Sequence, residues 1–340
     1  MTAAALQKFV SSRCWSLACA GLAVALLVGL TTPRPAAAQA FPSHPITIVV
    51  AFPAGGPTDV IARLVAEHMA PRLGQSVKIE NVGGAGGTIG AARVAHAAPD
   101  GYTLLLHQLA LAASATLYAH LPYDTIAGFD GIGLINYAPM VIVGRKSLPA
   151  HTLPELVAWM RGAGAPARFA HSGIGTPAHL SAVLFVAGIG APAIEVPYRG
   201  GAPALNDLLA EQVDLFCSQS LGVVELIRSG AITGFAVTSL DRLPALAALP
   251  SLDESGFKGL ETIVWHGLYA PHGTPAAVIA RLNGALRAAL GDRQLVERFE
   301  ATGSRLFAPD LLTPAAAKQL LIDEVAKWHK VIRDNHISAE

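Results

Sequence analysis

ITIVVAFPAGGPTDVIARLVAEHMAPRL, residues 46–73, decides the fold. Its first seven residues are apolar and rich in β-branched side chains, which suits a buried strand. From Pro57 to Leu73, Val60, Ile61, Leu64, Val65 and Met69 recur at helical spacing. A strand that feeds a helix through the short turn AGGPTD (54–59) begins a βαβ unit. The same alternation continues outward. SVKIENV (76–82) reads as a second strand, 87–97 as a second helix and YTLLLH (102–107) as a third strand. That order implies a parallel sheet with its loops along one edge.

A second α/β unit follows. VIVG (141–144) reads as a strand, and Thr152 with Glu155 fits a capping box ahead of LPELVAWMR. ARFAHS (167–172), AIEVPY (193–198), VDLFCS (213–218) and TGFAVTS (233–239) read as strands. Between them lie helices, one opened by Thr176-Pro177 as N-cap and first residue. WHGLYAP (265–271) is a further strand. Two helices close the chain, opened by Thr274-Pro275 and by Pro314; the last carries Leu321, Val325, Trp328 and Ile332 on one side. The expected architecture is α/β with two lobes and a cleft between them, residues 41–141 in the first and 142–267 in the second, with 268–340 following.

The first forty residues have another character. Lys8 and Arg13 precede the apolar run from Trp15 to Leu30, and small residues stand at Ala36, Ala38 and Ala40. A basic start, a short apolar run and an A-x-A site make a secretory signal peptide over 1–40, cleaved after Ala38 or Ala40. The run is shorter than the ~20 residues a membrane span needs. Cleavage removes three basic residues and no acid, leaving 21 basic against 24 acidic residues, a net charge of −3. Nothing there favours nucleic acid, which calls for a basic excess. Cleavage also removes Cys14 and Cys19, so Cys217 has no partner for a disulfide.

The chemistry concentrates at helix starts. AGGPTD (54–59), GGAGGTIG (83–90) and SGIGTPAH (172–179) each join a strand to a helix. A helix start carries unpaired N–H groups and the positive end of the dipole. Glycine lets a ligand approach those groups. Such places favour phosphate or carboxylate without Lys or Arg. In open parallel sheets ligands sit beyond the carboxyl ends of the strands, where all three loops lie. Taken singly, each loop is equally a tight turn made by glycine.

These residues carry a family resemblance. ITIVVAFPAGGPTDVIAR (46–63), ENVGGAGGTIGAARVAHAAPDGYTLLL (80–106), LPYD (121–124), SGIGTPAHL (172–180), VPYRGGAPALNDLLAEQVDL (196–215) and LYAPHGTP (268–275) resemble the Bug family, the periplasmic receptors of tripartite tricarboxylate transporters. The resemblance runs in order along nearly the whole chain after residue 40. It implies a Venus-flytrap binding fold without catalysis or cofactor, in which 41–141 plus 268–340 form the first lobe and 142–267 the second. It also implies a small carboxylate, di- or tricarboxylate or an apolar or aromatic monocarboxylate, delivered to inner-membrane transporter subunits. Carried onto this chain, the ligand residues are Phe52, Gly55, Gly56, Thr58 and Asp59 in the first loop, with Gly86, His107 and Gln108 beside it. The second lobe supplies Ser172, Gly173, Thr176 and His179, a wall of Tyr198, Arg199 and Gly200, and Asp214 nearby. The protein is expected to act as a monomer.

One departure has a consequence. Where many members carry a His-Ala-x-Asn run before Leu-Tyr, this chain has QLALAASATLY (108–118), with Leu111 and Ser114 at those places. That predicts a more apolar pocket edge, and a ligand with an apolar or aromatic body rather than a second polar end. Individual residues also have plainer readings. Asp59 serves the helix dipole, His179 sits as a satisfied structural histidine and Arg199 as a solvated loop charge. Cys217 is a buried small residue, and Trp265 and His266 are hinge packing.

Two other functions compete. Gly173-x-Gly175-x-x-Ala178 with Glu195 about twenty residues on loosely fits a dinucleotide fingerprint, but Pro177 interrupts it in mid-chain. There is no G-x-S-x-G, H-E-x-x-H or P-loop lysine motif. The 12 histidines show no metal-ligand spacing. The other competitor is an exported binding protein that signals to a membrane sensor instead of feeding a transporter.

Overall fold

The computed structural model describes residues 41–162 and 164–339. The expected signal peptide and its cleavage site lie outside them. In chain order the elements are β1 (Ile46–Val50), α1 (Pro57–Leu73), β2 (Val77–Asn81), α2 (Thr88–Ala95), β3 (Thr103–Gln108), α3 (Ala110–Leu117) and β4 (Phe129–Arg145). Next come α4 (Leu153–Gly162), β5 (Ala167–His171), α5 (Pro177–Ile189), β6 (Ala193–Pro197), α6 (Gly201–Leu209), β7 (Leu215–Gln219), α7 (Ser220–Arg228) and β8 (Ile232–Val237). The chain ends with β9 (Ile263–Pro271), α8 (Ala276–Leu290), α9 (Arg293–Ala301), β10 (Arg305–Leu306) and α10 (Pro314–Asp334).

The first lobe is built on β2-β1-β3-β9-β4. β1 pairs in parallel with β2 and β3, and β9 runs antiparallel to both β3 and β4. The sheet is covered on both faces, and its strands alternate accordingly. Ile46, Ile48 and Val50 of β1 and Leu104 and Leu106 of β3 face a core with Ile61, Val65 and Met69 of α1 and Leu282 and Leu286 of α8. Val49 and Leu105 face the other side, against Ala91 and Val94 of α2 and Leu321 and Trp328 of α10. Burying each such aliphatic side chain contributes about 1.5–3 kcal/mol. The α1 helix starts at Pro57, tolerated because the first N–H has no helical partner, and ends at Gly74 in the left-handed region (φ 70°).

The second lobe rests on parallel β5, β6 and β7, with β4 antiparallel to β7 and β8. Phe169, Phe185, Phe216 and Phe235 fill its core. The long strand β4 belongs to both lobes. Phe129 to Pro139 pair with β9, and Met140 to Gly144 pair with β7. The return passage is stitched to it by Thr238, whose Oγ1 accepts from the Met140 N–H (2.9 Å) and donates to the Thr262 carbonyl (2.6 Å).

The structure extends the expected strand over 141–144 back to Phe129. FDGIGLINYAP carries glycines, Asn136 and Pro139, which obscure a strand pattern. Its register shifts between Gly131 and Gly133 and again between Leu134 and Asn136 absorb them as bulges. Two helices not expected above are also present, α3 and α9; Asp292 caps α9, whose Leu295 and Phe299 face the core, and α3 occupies the stretch read above as a pocket edge. Leu111 is fully buried among the second-face core residues, and the Ser114 hydroxyl donates to the Leu111 carbonyl (2.7 Å).

Candidate functional site

Two adjoining cavities lie between the lobes and share Phe52, Pro53 and Ser172. The inner measures about 40 Å3 and the outer about 200 Å3. Both exceed the roughly 10–15 Å3 that admits a water molecule.

Four helix starts line the inner cavity. Gly56, Pro57 and Thr58 open α1; Pro177 and Ala178 open α5; Gly201 opens α6; Ser218 and Gln219 precede α7. Among the described residues no Lys, Arg, Asp or Glu lines it. An anion placed there meets unpaired N–H groups and the positive ends of several dipoles. Phe52, Met140, Phe216 and Cys217 supply apolar wall. Gln219 is buried, and its Oε1 has no hydrogen-bond partner among the described residues.

The outer cavity is bounded by Gly84 to Gly87 before α2, by Tyr118 after α3, by Gly173 and Ile174, and by Pro197 to Gly200. Arg199 is exposed and, among the described residues, is the one charged side chain lining either cavity.

Of the residues singled out in the sequence, Phe52, Gly56, Thr58, Gln108 and Ser172 line the inner cavity, and Phe52, Gly86, Ser172, Gly173, Tyr198, Arg199 and Gly200 the outer. Gly55, Asp59, His107, Thr176, His179 and Asp214 line neither. Most of those six stand behind the walls and shape them.

Asp59 is buried, and its Oδ2 accepts from the Gly55 N–H (2.9 Å) and from Arg63 Nε (2.9 Å). Asn81 Nδ2 donates to Asp59 Oδ1 (2.9 Å) and to the Phe52 carbonyl (3.0 Å). The loop from Phe52 to Asp59 is thereby fixed at both ends. Burial pushes the Asp59 carboxyl up, but the hydrogen bonds from Arg63, Gly55 and Asn81 outweigh it and hold the carboxyl below its ordinary value. Asp59 lines neither cavity, and its hydrogen bonds order the loop that forms the wall.

Thr176 caps α5, accepting from the His179 N–H (3.4 Å) and the Ser172 hydroxyl (3.0 Å) and donating to the Gly173 carbonyl (2.6 Å). His179 Nδ1 accepts the Gly175 N–H (3.2 Å). His107 lies behind Gly87, where its Nε2 approaches the carbonyl oxygen (3.4 Å), and His266 Nε2 meets Thr58 Oγ1 (3.4 Å). Burial pushes His107 down to about 4 and His266 to about 3, so both rings are neutral. Asp214 is held away from the cavities by Arg145 Nε (3.0 Å) and the Arg168 N–H (2.8 Å), an ion-paired brace between β4 and β5.

Leu111 and Ser114 line neither cavity. Their side chains turn into the core, so the departure at 108–118 does not make the pocket edge apolar. The wall residues Met140, Cys217, Ser218 and Gln219 went unrecognised in the sequence. The 217–220 junction is also a strand end before a helix, but it lacks the glycines or Thr-Pro that marked the others. Burial pushes the Cys217 thiol up to about 12, which keeps it a neutral wall atom.

Residues 61–337 match the model of the tripartite tricarboxylate transporter family receptor. The periplasmic binding protein BugD superposes with a TM-score of 0.85 at 40% identity, over 88% of this chain and 99% of that one. MatC from Rhodopseudomonas palustris with bound malate gives 0.82 at 35% identity, over 86% and 100%. A second R. palustris protein, with adipate, gives 0.83 at 32% identity, over 88% and 99%.

Proposed function

The chain belongs to the tripartite tricarboxylate transporter receptor family, periplasmic solute-binding receptors and not enzymes, and from that premise we propose that it captures a small carboxylate between its lobes and delivers it to a membrane transporter. No described helix is long and apolar enough to cross a membrane. In this proposal a signal peptide directs export and is cleaved after Ala38 or Ala40, and the mature protein acts as a monomer.

The observation that carries the proposal is the inner cavity, where four helix starts converge and, among the described residues, no cationic side chain is present. A carboxylate there accepts N–H bonds from several directions, with Thr58, Ser172 and Gln219 beside it. The ligand body lies against Phe52, Met140 and Phe216. Its far end reaches the outer cavity, where Arg199 and the hydroxyl of Tyr118 offer a place for a second polar group. MatC holds malate and the second R. palustris neighbour holds adipate, two acids with a carboxylate at each end.

The test is a thermal-shift screen of the purified protein against malate, adipate, citrate and benzoate. A ligand that binds only the folded form adds ~2.7 kcal/mol at a hundredfold excess over Kd. The proposal expects at least one acid to raise the melting temperature; a flat response to all such acids would count against it.

A further inference from the structure

His171, at the end of β5, and His179, in the first turn of α5, flank the Ser172–Thr176 loop. Their rings are buried, 4.7 Å apart between centroids, and each holds one amide of that loop. The Gly173 N–H donates to His171 Nδ1 (3.3 Å) and the Gly175 N–H to His179 Nδ1 (3.2 Å). An Nδ1 that accepts an amide bears no proton, so each neutral ring carries its proton on Nε2. Both Nε2 atoms face one carboxylate from β6: Glu195 Oε2 lies 3.3 Å from His179 and 3.9 Å from His171.

The three side chains lie close enough to hold a metal ion, all ligand atoms being within 4.8 Å of one another. Their surroundings argue for a proton instead. A histidine that binds a metal through Nε2 ordinarily donates its Nδ1–H to an acceptor. Here donors stand at both Nδ1 atoms, and the Nε2 positions carry the hydrogens.

We propose that His171 and His179 form an acid-sensitive latch on the ligand-facing loop: protonating a ring at Nδ1 sets two N–H groups against each other and releases Gly173 or Gly175. The released segment includes Ser172, Gly173 and Ile174, which form the second-lobe wall of the cavities. Gly175 has little room to adjust in place, because Leu117 of the first lobe packs against it. Acid therefore opens the wall and weakens ligand binding.

The groups facing the pair are few. From β6 comes Glu195, half-exposed and ionised, its pKa lowered chiefly by the hydrogen bond from His179. From β7, beyond α5, comes the neutral Cys217 thiol. Arg168 on β5 is engaged with Asp214, and Tyr198 with Asp207 (2.6 Å). Burial, and next the neighbouring His179, push His171 down to about 4. Glu195 favours an imidazolium, so it sets the pH of release: removing its charge moves release to more acid conditions.

The ligand effect rests on the carboxylate reading; the loop movement does not. The full chain with 15N-glycine is titrated without ligand from about pH 7.5 to pH 3.5, a range that spans the ordinary histidine value of about 6.5 and the value of about 4 to which His171 is pushed. The Gly173 and Gly175 amide signals are followed, and the Kd of malate or adipate is measured across the same range. We expect at least one of the two amides to titrate with a ring, and the Kd to rise about tenfold or more. In Glu195→Gln, an exposed change that spares the core, both transitions move about one pH unit lower. Amides that stay still, or a Glu195→Gln protein that titrates like the parent, would overturn the latch. Ring binding of Zn2+ at neutral pH with unmoved amides would overturn the tautomer assignment and the latch with it. If neither acid binds at any pH, the carboxylate reading fails while the amide titration still decides the latch.

Discussion

Gly86 of the first lobe stands against the carbonyl of Ile174 in the second: a Cβ on Gly86 would lie 2.5 Å from the Ile174 oxygen. Gly200 is similarly close to Pro53, its Cβ position 2.7 Å from the proline Cδ. Glycine at these two places lets the rims of the cleft meet, and the cleft is closed in this structure.

Gly86→Ala is therefore expected to obstruct closure. Its φ of +63° adds about 1 kcal/mol of backbone strain for any L side chain, and the clash adds about 1–3 kcal/mol in the closed state. Affinity should fall roughly tenfold or more, and the backbone strain should lower the melting temperature without ligand by about 2–4 °C. Small-angle scattering with saturating ligand should report a more open molecule than the parent protein.

Arg199 faces the outer cavity with no acidic partner among the described residues. Arg199→Gln should weaken a dicarboxylate by about 1.5–3 kcal/mol, the range for a hydrogen bond to a charged group. A monocarboxylate of similar length should bind nearly as before. Calorimetry on such a pair checks this, and equal losses for both acids would place Arg199 outside recognition.

Acid should destabilise the fold before the carboxylates titrate. His107 and His266 sit at about 4 and 3, below the histidine value of about 6.5 in an unfolded chain. Between those limits the unfolded state binds more protons, so stability falls as pH drops from about 6.5 toward 4, by up to about 1.4 kcal/mol per pH unit for each ring. Above about pH 7 neither ring contributes a slope. Urea unfolding at stepped pH measures this, and substituting both histidines by Gln should make the acid limb shallower, leaving the slope that His171 contributes. The latch is separable, because Glu195→Gln leaves these two rings untouched.

Glu324 of the last helix is buried, and its Oε2 accepts from Trp265 Nε1 and Trp328 Nε1, both at 2.9 Å. Glu324→Ala strands two indole N–H groups in the core beside α10. A loss of about 2–4 kcal/mol is expected. Chemical denaturation should show a lower midpoint with an unchanged slope.

The sequence made much of this architecture legible, for identifiable reasons. The apolar runs of β1 and β3 show because a sheet covered on both faces demands them. Gly56, Thr58, Ser172 and Gly200 show because glycine or Thr-Pro marks a strand-to-helix junction. Gln219 escaped because its junction carries no such mark. Leu111 misled because sequence position beside a pocket does not say which way a helical side chain turns. Asp59 and His179 were recognised as important, but their hydrogen bonds run to Gly55 and Gly175, and only the folded backbone reveals that they shape the walls. Met140 reaches the cavity because β4 passes from one sheet into the other there, a path hidden by its bulges.

The central claim is that helix starts, not a cation, hold a carboxylate in the inner cavity. Isothermal titration of one acid, malate or adipate, alongside the same molecule with its carboxylates converted to neutral amides tests it most directly. The account predicts saturable binding of the acid at neutral pH and at least tenfold weaker binding of the amide. Equal binding of the two, or binding of the amide alone, would contradict it.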